Sequence, residues 1–132
     1  MKKWLVPLLS VFVLFLIGCT ENESVSKLTR VDVLKENKDE MIISDQHILN
    51  ELSQVFEQIE WEQNVKVEMS RKEDVKAVLF MEVEENMPER LVEYFIWFEG
   101  NGTATIINRD ESSLAKLDEE STSILKINFN YE

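Results

Sequence analysis

The sequence predicts an α+β domain: an antiparallel sheet with one face packed by a main helix, and a second helix closing the chain. Three observations carry this. Stretches of period-two alternation follow one another at residues 75–84, 91–99 and 103–108, as in a meander. A segment over residues 45–60 instead repeats its apolar positions with the 3.6-residue period of a helix. The last connection of the meander, Gly100-Asn101-Gly102, is built from residues that tolerate positive φ, which is a hairpin signal.

The first element lies at Lys27–Lys35 (KLTRVDVLK), where Val31 and Val33 alternate among charged residues as in a partly exposed strand. Residues 36–40 (ENKDE) form a turn, and residues 41–43 a short second strand. Ser44 or Asp45 then caps the helix, which should run over residues 45–60 with Ile48, Leu49, Leu52, Val55, Phe56 and Ile59 on one face. Residues 64–69 alternate Val65, Val67 and Met69 and read as an edge strand, followed by a charged turn, SRKED, at 70–74. After the meander, Asp118-Glu119-Glu120-Ser121 has the character of a helix start, with Ile124 and Leu125 as anchors. Leu125, Ile127, Phe129 and Tyr131 also alternate, so the closing element is a helix by its cap and a strand by its period; the helix is preferred.

Successive strand side chains point to opposite faces, so alternation assigns each face. Val75, Ala77, Leu79, Met81 and Val83 share one, as do Val92, Tyr94, Ile96 and Phe98. Bringing these together places Leu79 opposite Ile96, and Ile96 opposite Ile106, on the core face under the helix. The other face then aligns Phe80, Phe95 and Ile107, with Val78, Trp97 and Thr105 beside them. A two-layer protein would leave that face wet, yet its centre is aromatic. Either the C-terminal element or residues 64–69 cover it, or Val78, Phe80, Phe95, Trp97 and Ile107 form an exposed patch for a partner or an amphiphilic ligand.

Charge narrows the function classes. The chain has 132 residues with 14 Lys or Arg and 26 Asp or Glu, and Lys2 and Lys3 are the only charges before Cys19. The 113 residues after Cys19 therefore carry twelve basic against twenty-six acidic side chains, a formal −14. Nucleic acid is not an expected partner, because phosphate contacts need a basic surface. Of these 113 residues, 44 are apolar, enough for one core, so the acidity does not imply disorder. The single cysteine excludes an internal disulfide and a cysteine-based zinc site.

The candidates for chemistry are few. His47, the sole imidazole, falls in the first helical turn beside Glu51 and Gln54, with no nucleophile or second nitrogen ligand nearby in sequence, and reads as a surface residue. The carboxylate runs at Glu82, Glu84, Glu85 and at Asp118, Glu119, Glu120 lack EF-hand spacing and read as solvated surface. Arg90 and Arg109 fall at strand ends, where they offset nearby acids. Glycine-rich phosphate loops and serine elbows are absent, so no catalytic residue, metal site or cofactor is expected and the chain is not expected to be an enzyme.

The first twenty residues are a separate unit. Met1-Lys2-Lys3 is a basic start, and residues 4–17 are uncharged and almost wholly apolar, broken only by Pro7 and Ser10. That run is short for a spanning helix and fits a signal-peptide core. It closes with Leu16-Ile17-Gly18-Cys19, which resembles the lipobox of bacterial lipoproteins. The resemblance implies that the Cys19 sulfur receives a diacylglyceryl group and that cleavage occurs between Gly18 and Cys19. Residues 1–18 are then the signal peptide, 19–26 a lipidated tether (TENESVS after the cysteine) and 27–132 a single domain on the extracytoplasmic face of the cell membrane. An acidic domain is repelled by an anionic leaflet and stands off it.

The helix DQHILNELSQVFEQIEW, the strand EYFIWFEGNG and the closing SSLAKLDEESTSILK resemble the YhfM-like domain of small lipoproteins of Gram-positive spore-formers. That resemblance covers most of residues 27–128 and implies strands, one helix, a meander and a terminal helix; SRKED stands where a proline-containing turn is expected. The family brings no established activity. The expected function is a non-enzymatic binding or accessory module for an envelope protein, and the alternative is a surface module that binds a small ligand or a divalent cation through the acidic turns.

Overall fold

The computed structural model describes residues 27–84 and 86–131. The elements are β1 (Lys27–Lys35), β2 (Met41–Ile43), α1 (Gln46–Glu57), β3 (Val75–Glu82), β4 (Arg90–Phe98), β5 (Ala104–Asn108), a single 3-10 turn (Arg109–Glu111), β6 (Ser113–Leu117) and α2 (Glu119–Asn128). The strands form one antiparallel sheet in the order β2-β1-β3-β4-β5-β6, and both helices lie on the same face of it. This is the α+β architecture that the sequence predicts, with one strand more in the meander.

Helix α1 starts where the carboxylate of Asp45 accepts from the backbone N–H groups of His47 (2.9 Å) and Ile48 (3.2 Å). Two of the otherwise orphaned amides of the first turn are satisfied in this way. The helix lies over β1 and buries Leu49, Leu52, Val55 and Phe56, each contributing about 2 kcal/mol by removal from water. Helix α2 starts on Asp118, whose carboxylate accepts from the Ser121 N–H at 2.8 Å. It packs against α1 and β6 and sends Leu125 and Phe129 into the same core. The cap thus prevails over the alternation of Leu125, Ile127 and Phe129. An aromatic corner of Phe56, Tyr94 and Trp61 closes the core, with Tyr94 5.2 Å from Phe56 and 5.4 Å from Trp61 between ring centroids.

The structure departs from the sequence reading at four points. The expected Leu79–Ile96 pair is replaced by Leu79 opposite Val92 and Val75 opposite Ile96. The expected register would set Glu82 directly opposite Glu93, a like-charge pair that destabilises a ladder. In the observed one Glu93 faces Val78 and takes a diagonal ion pair from Lys76 at 3.4 Å. The shift is by an even number of residues, so the faces keep their members. Residues 64–69 form no strand; only Glu62 makes an isolated bridge, with Leu114. Finally, β6 was not anticipated. Its sequence, SLAKL, carries helix-forming residues, and pairing with β5 overrides that preference. Helix α1 also stops at Glu57, short of the expected residue 60.

In β1 a register shift between Leu28 and Arg30 makes Thr29 a bulge, so Leu28 and Val31, three positions apart, both reach the core. The Glu99–Thr103 hairpin turns as its glycine predicts. Gly102 has φ +92, and the Asn101 side chain accepts from the Thr103 N–H at 3.1 Å.

Candidate functional site

The face away from the helices is built from alternate residues of all six strands. Register places Arg30, Asp32 and Leu34 of β1 beside Phe80, Val78 and Lys76 of β3, and these beside Leu91, Glu93 and Phe95 of β4. Beyond them Phe95 meets Ile107 and Leu114, and Trp97 meets Thr105 and Lys116. The predicted face residues are therefore on one surface, but the corrected register separates Phe80 from Phe95: Phe80 is opposite Leu91, and Phe95 is opposite Lys76.

The connection between α1 and β3 divides this face. Leaving α1, the chain runs along the β6 edge, where Glu62 exchanges backbone hydrogen bonds with Leu114 (2.8 and 3.0 Å) and the Val65 N–H donates to the Ser112 carbonyl (2.8 Å). It ends at the far end of β4, where the indole N–H of Trp97 donates to the Arg71 carbonyl at 2.8 Å and the Asp74 N–H donates to the Ile96 carbonyl at 2.9 Å. To pass from β6 to β3 it must cross β5 and β4 on the side away from the helices. Trp97 is accordingly 1% exposed and Ile107 6% exposed, although neither belongs to the helix-side core. Residues 62–74 thus cover the Trp97, Thr105 and Ile107 half, while the C-terminal helix lies on the other face.

The β2-β1-β3-β4 half stays open. Val78, Phe80 and Phe95 are half-buried there, surrounded by Leu34 at 38%, Ile42 at 54% and Leu91 at 56% exposure. Its charges are paired internally. Arg30 grips Asp32 through two hydrogen bonds of 2.7 and 2.9 Å, and its guanidinium lies 4.6 Å over the Phe80 ring. Lys76 pairs with Glu93, and Arg109 sits 4.2 Å over the Phe95 ring. Arg30 and Lys76 are thus held by aromatic faces as well as by carboxylates, and Arg109 by aromatic faces. The patch is therefore apolar and close to neutral, in a chain whose remaining surface is strongly acidic.

A second feature lies at the end of the sheet where β1 finishes. A groove of about 930 Å³ runs between the turn after β1 (Lys35, Lys38, Asp39), the turn before β3 (Arg71, Lys72, Asp74) and Tyr131. Lys35 caps the end of α2, donating to the carbonyls of Phe129 (2.8 Å) and Asn130 (3.2 Å), as a cation near a helix C-terminus should. Asp74 accepts from Arg71 at 2.7 Å, from the Phe98 N–H at 2.7 Å and from the Tyr131 hydroxyl. Burial pushes its carboxyl up, but these three donors outweigh burial and hold it below the ordinary carboxylate range. Burial, then the neighbouring Asp74 charge, push the Tyr131 phenol the other way, upward. The ENKDE and SRKED turns were each visible from sequence, but not that they meet. Residues 35–39 and 131 join residues 71–74 through tertiary packing, which no local pattern announces.

The remaining candidates do not converge. His47 is exposed in the first turn of α1 and contributes its backbone N–H to the Asp45 cap. Arg90 reaches Glu111 at 3.7 Å. Among the described residues no group of three or more His, Cys, Asp or Glu could hold a metal ion, and no helix is long and apolar enough to cross a membrane. Gly18 and Cys19 lie outside the described residues, as does Glu85 of the acidic run.

No family profile and no curated protein matches the chain. Among solved structures it is similar to a thioesterase-like protein from Clostridium sporogenes ATCC 15579, with a TM-score of 0.52 and 22% sequence identity, over 76% of this chain and 92% of that one. This finding corrects the expectation that the chain is not an enzyme. That expectation came from the lack of a familiar catalytic motif, and a fold shared with a thioesterase-like protein withdraws it. At this identity the likeness establishes the fold, and what the two chains have in common is an antiparallel sheet packed by helices.

Proposed function

We propose that the chain is a lipid-anchored binding module of the extracytoplasmic face of a Gram-positive cell membrane, held through Cys19 and contacting an envelope protein through the open half of its sheet. The observation that carries the contact surface is the gathering of Leu34, Ile42 and Leu91, all exposed, around half-buried Val78, Phe80 and Phe95 on one face. Apolar residues scattered singly need no explanation, but a contiguous set on a rigid sheet does. The test is fluorescence of an apolar-surface dye with the native protein, the double variant Ile42→Asp/Leu91→Asp, and cross-linking in intact cells from position 91. The native protein should bind dye, the variant should lose most of that signal with unchanged thermal stability, and the cross-link should recover an envelope protein. Absence of dye binding by the native protein would overturn the patch.

A second reading follows from the groove. Its volume lies within the range of small-molecule sites, about 300–1,000 Å³. Its lining of Lys35, Lys38, Arg71 and Lys72 against Glu36, Asp39, Glu73 and Asp74 suits a charged small ligand with both signs of charge.

A further inference from the structure

We propose that the groove at the end of the sheet binds a short peptide with free ends, its ammonium and carboxylate groups held by the two signs of charge on the flanking turns. This rests on the groove reading above and names the class of its ligand. Charge supplies the first argument. The groove takes four of the twelve basic side chains that follow Cys19 but only four of the twenty-six acidic ones, so it is a balanced spot on an acidic surface. A ligand with one sign of charge meets as many like as opposite charges there, whereas a zwitterion can use both sets. Some of these charges are already committed: Lys35 to the end of α2, and Asp74 to Arg71, the Phe98 N–H and the Tyr131 hydroxyl. Lys38 and Lys72 on one side of the balance, and Glu36, Asp39 and Glu73 on the other, make no ion pair among the described residues. Arg71 is fixed by Asp74 at 2.7 Å and by the Phe98 carbonyl at 3.0 Å, contacts that leave it further N–H donors for a carboxylate.

The uncharged lining supplies the second argument. Asn37 and Asn130 turn the chain at φ 62 and 58, and both line the groove. A carboxamide carries a donor and an acceptor as a peptide group does, so each can pair with one. The Tyr131 ring is backed by Phe98, 4.6 Å away between centroids, and gives the groove a firm apolar wall. Charges of both signs, carboxamides and a ring wall together match a ligand that is charged at its ends and amidic between them. The volume of about 930 Å³ lies near the top of the range for small-molecule sites, which suits a chain of a few residues better than one amino acid. Position agrees with a soluble ligand. The tether joins the domain at Lys27, and β1 carries the chain about 26 Å from there to Lys35, so the groove is at the end of the sheet remote from the tether.

The test is titration calorimetry of the full chain in a non-ionic detergent, with trialanine as the probe. Trialanine should give a saturable heat, and acetylating its amine or amidating its carboxyl should each weaken binding roughly five-fold or more. Lys38→Gln/Lys72→Gln should weaken trialanine by a similar factor but leave the amidated peptide unchanged, because that peptide already lacks the contact. Both lysines are exposed, so the substitutions leave the fold intact, which the thermal transition checks. Equal affinity for trialanine and its two blocked forms would overturn the inference. Equal losses for the free and amidated peptides in the variant would place the carboxylate elsewhere and overturn it as well. Heat from phosphoethanolamine, a zwitterion without peptide groups, but none from trialanine would overturn the peptide and leave the groove standing as a charged-ligand site. No heat from either probe would overturn the peptide and the groove reading together.

Discussion

Asp74 shows how much one carboxylate can join. Through it the turn before β3, the end of β4 and Tyr131 are held together, by Arg71, the Phe98 N–H and the Tyr131 hydroxyl. Its folded pKa is depressed, so the stability it contributes is present above the unfolded carboxylate pKa of about 3.9 and is lost as pH falls through the lower folded value. Asp74→Ala should therefore lower stability at pH 7 by about 2 kcal/mol, the worth of hydrogen bonds to a charged group. In urea titrations the variant should also lose less stability than the native protein on acidification below about pH 4. Parallel acid slopes for the two would remove Asp74 from this account. The residue scale is also where the sequence reading fell shortest. That Asp74 is charged was visible; that three donors from three segments converge on it was not, since they lie 3, 24 and 57 positions away.

Among the elements, those with strong local signals were legible and those imposed by distant partners were not. The span of β1, the position of β2, the Asp45 and Asp118 caps and the glycine hairpin could all be read from residue patterns, and each is found. The faces were legible too, because side-chain parity survives an even register shift. Residues 64–69 and 113–117 failed in opposite directions. Val65, Val67 and Met69 alternate but have no ladder to join, since their segment crosses a face instead of extending the sheet. Ser113–Leu117 does not look like a strand, yet it completes one against β5 after Ser112 turns the chain with φ 53. For the candidate site this meant that the right face was visible, while the division of it into a covered and an open half was not. At this scale the caps give the sharpest prediction. Asp118→Ala removes the acceptor for the Ser121 N–H and should cost about 1 kcal/mol by chemical denaturation, with an unchanged slope. A variant as stable as the native protein would mean that α2 is held by Leu125 and Phe129 alone.

For the whole molecule, the division of charge between a basic leader and an acidic remainder bears on where the chain resides. If the proposed lipobox reading holds, Cys19→Ala should leave residues 1–18 uncleaved and the product unlipidated, seen as a slower-migrating species that does not incorporate labelled palmitate; a mature-sized, labelled product would contradict that reading. The connection that crosses the sheet has a consequence of another kind, for the order in which the fold can be assembled. β1 and β2 can pair as soon as residue 43 is available, but the other side of β1 is completed by β3, whose partners lie 40 to 55 positions further on. Between them come α1 and the whole crossing segment. A chain emerging N-terminus first therefore holds an unfinished β1 edge open for more than forty residues, with the apolar stripe of α1 as its nearest cover. Such late, non-local closure is the slow step in sheets of this kind. Folding of this protein should be limited by the docking of β3 between β1 and β4, and its interval of greatest exposure to aggregation falls before that strand arrives.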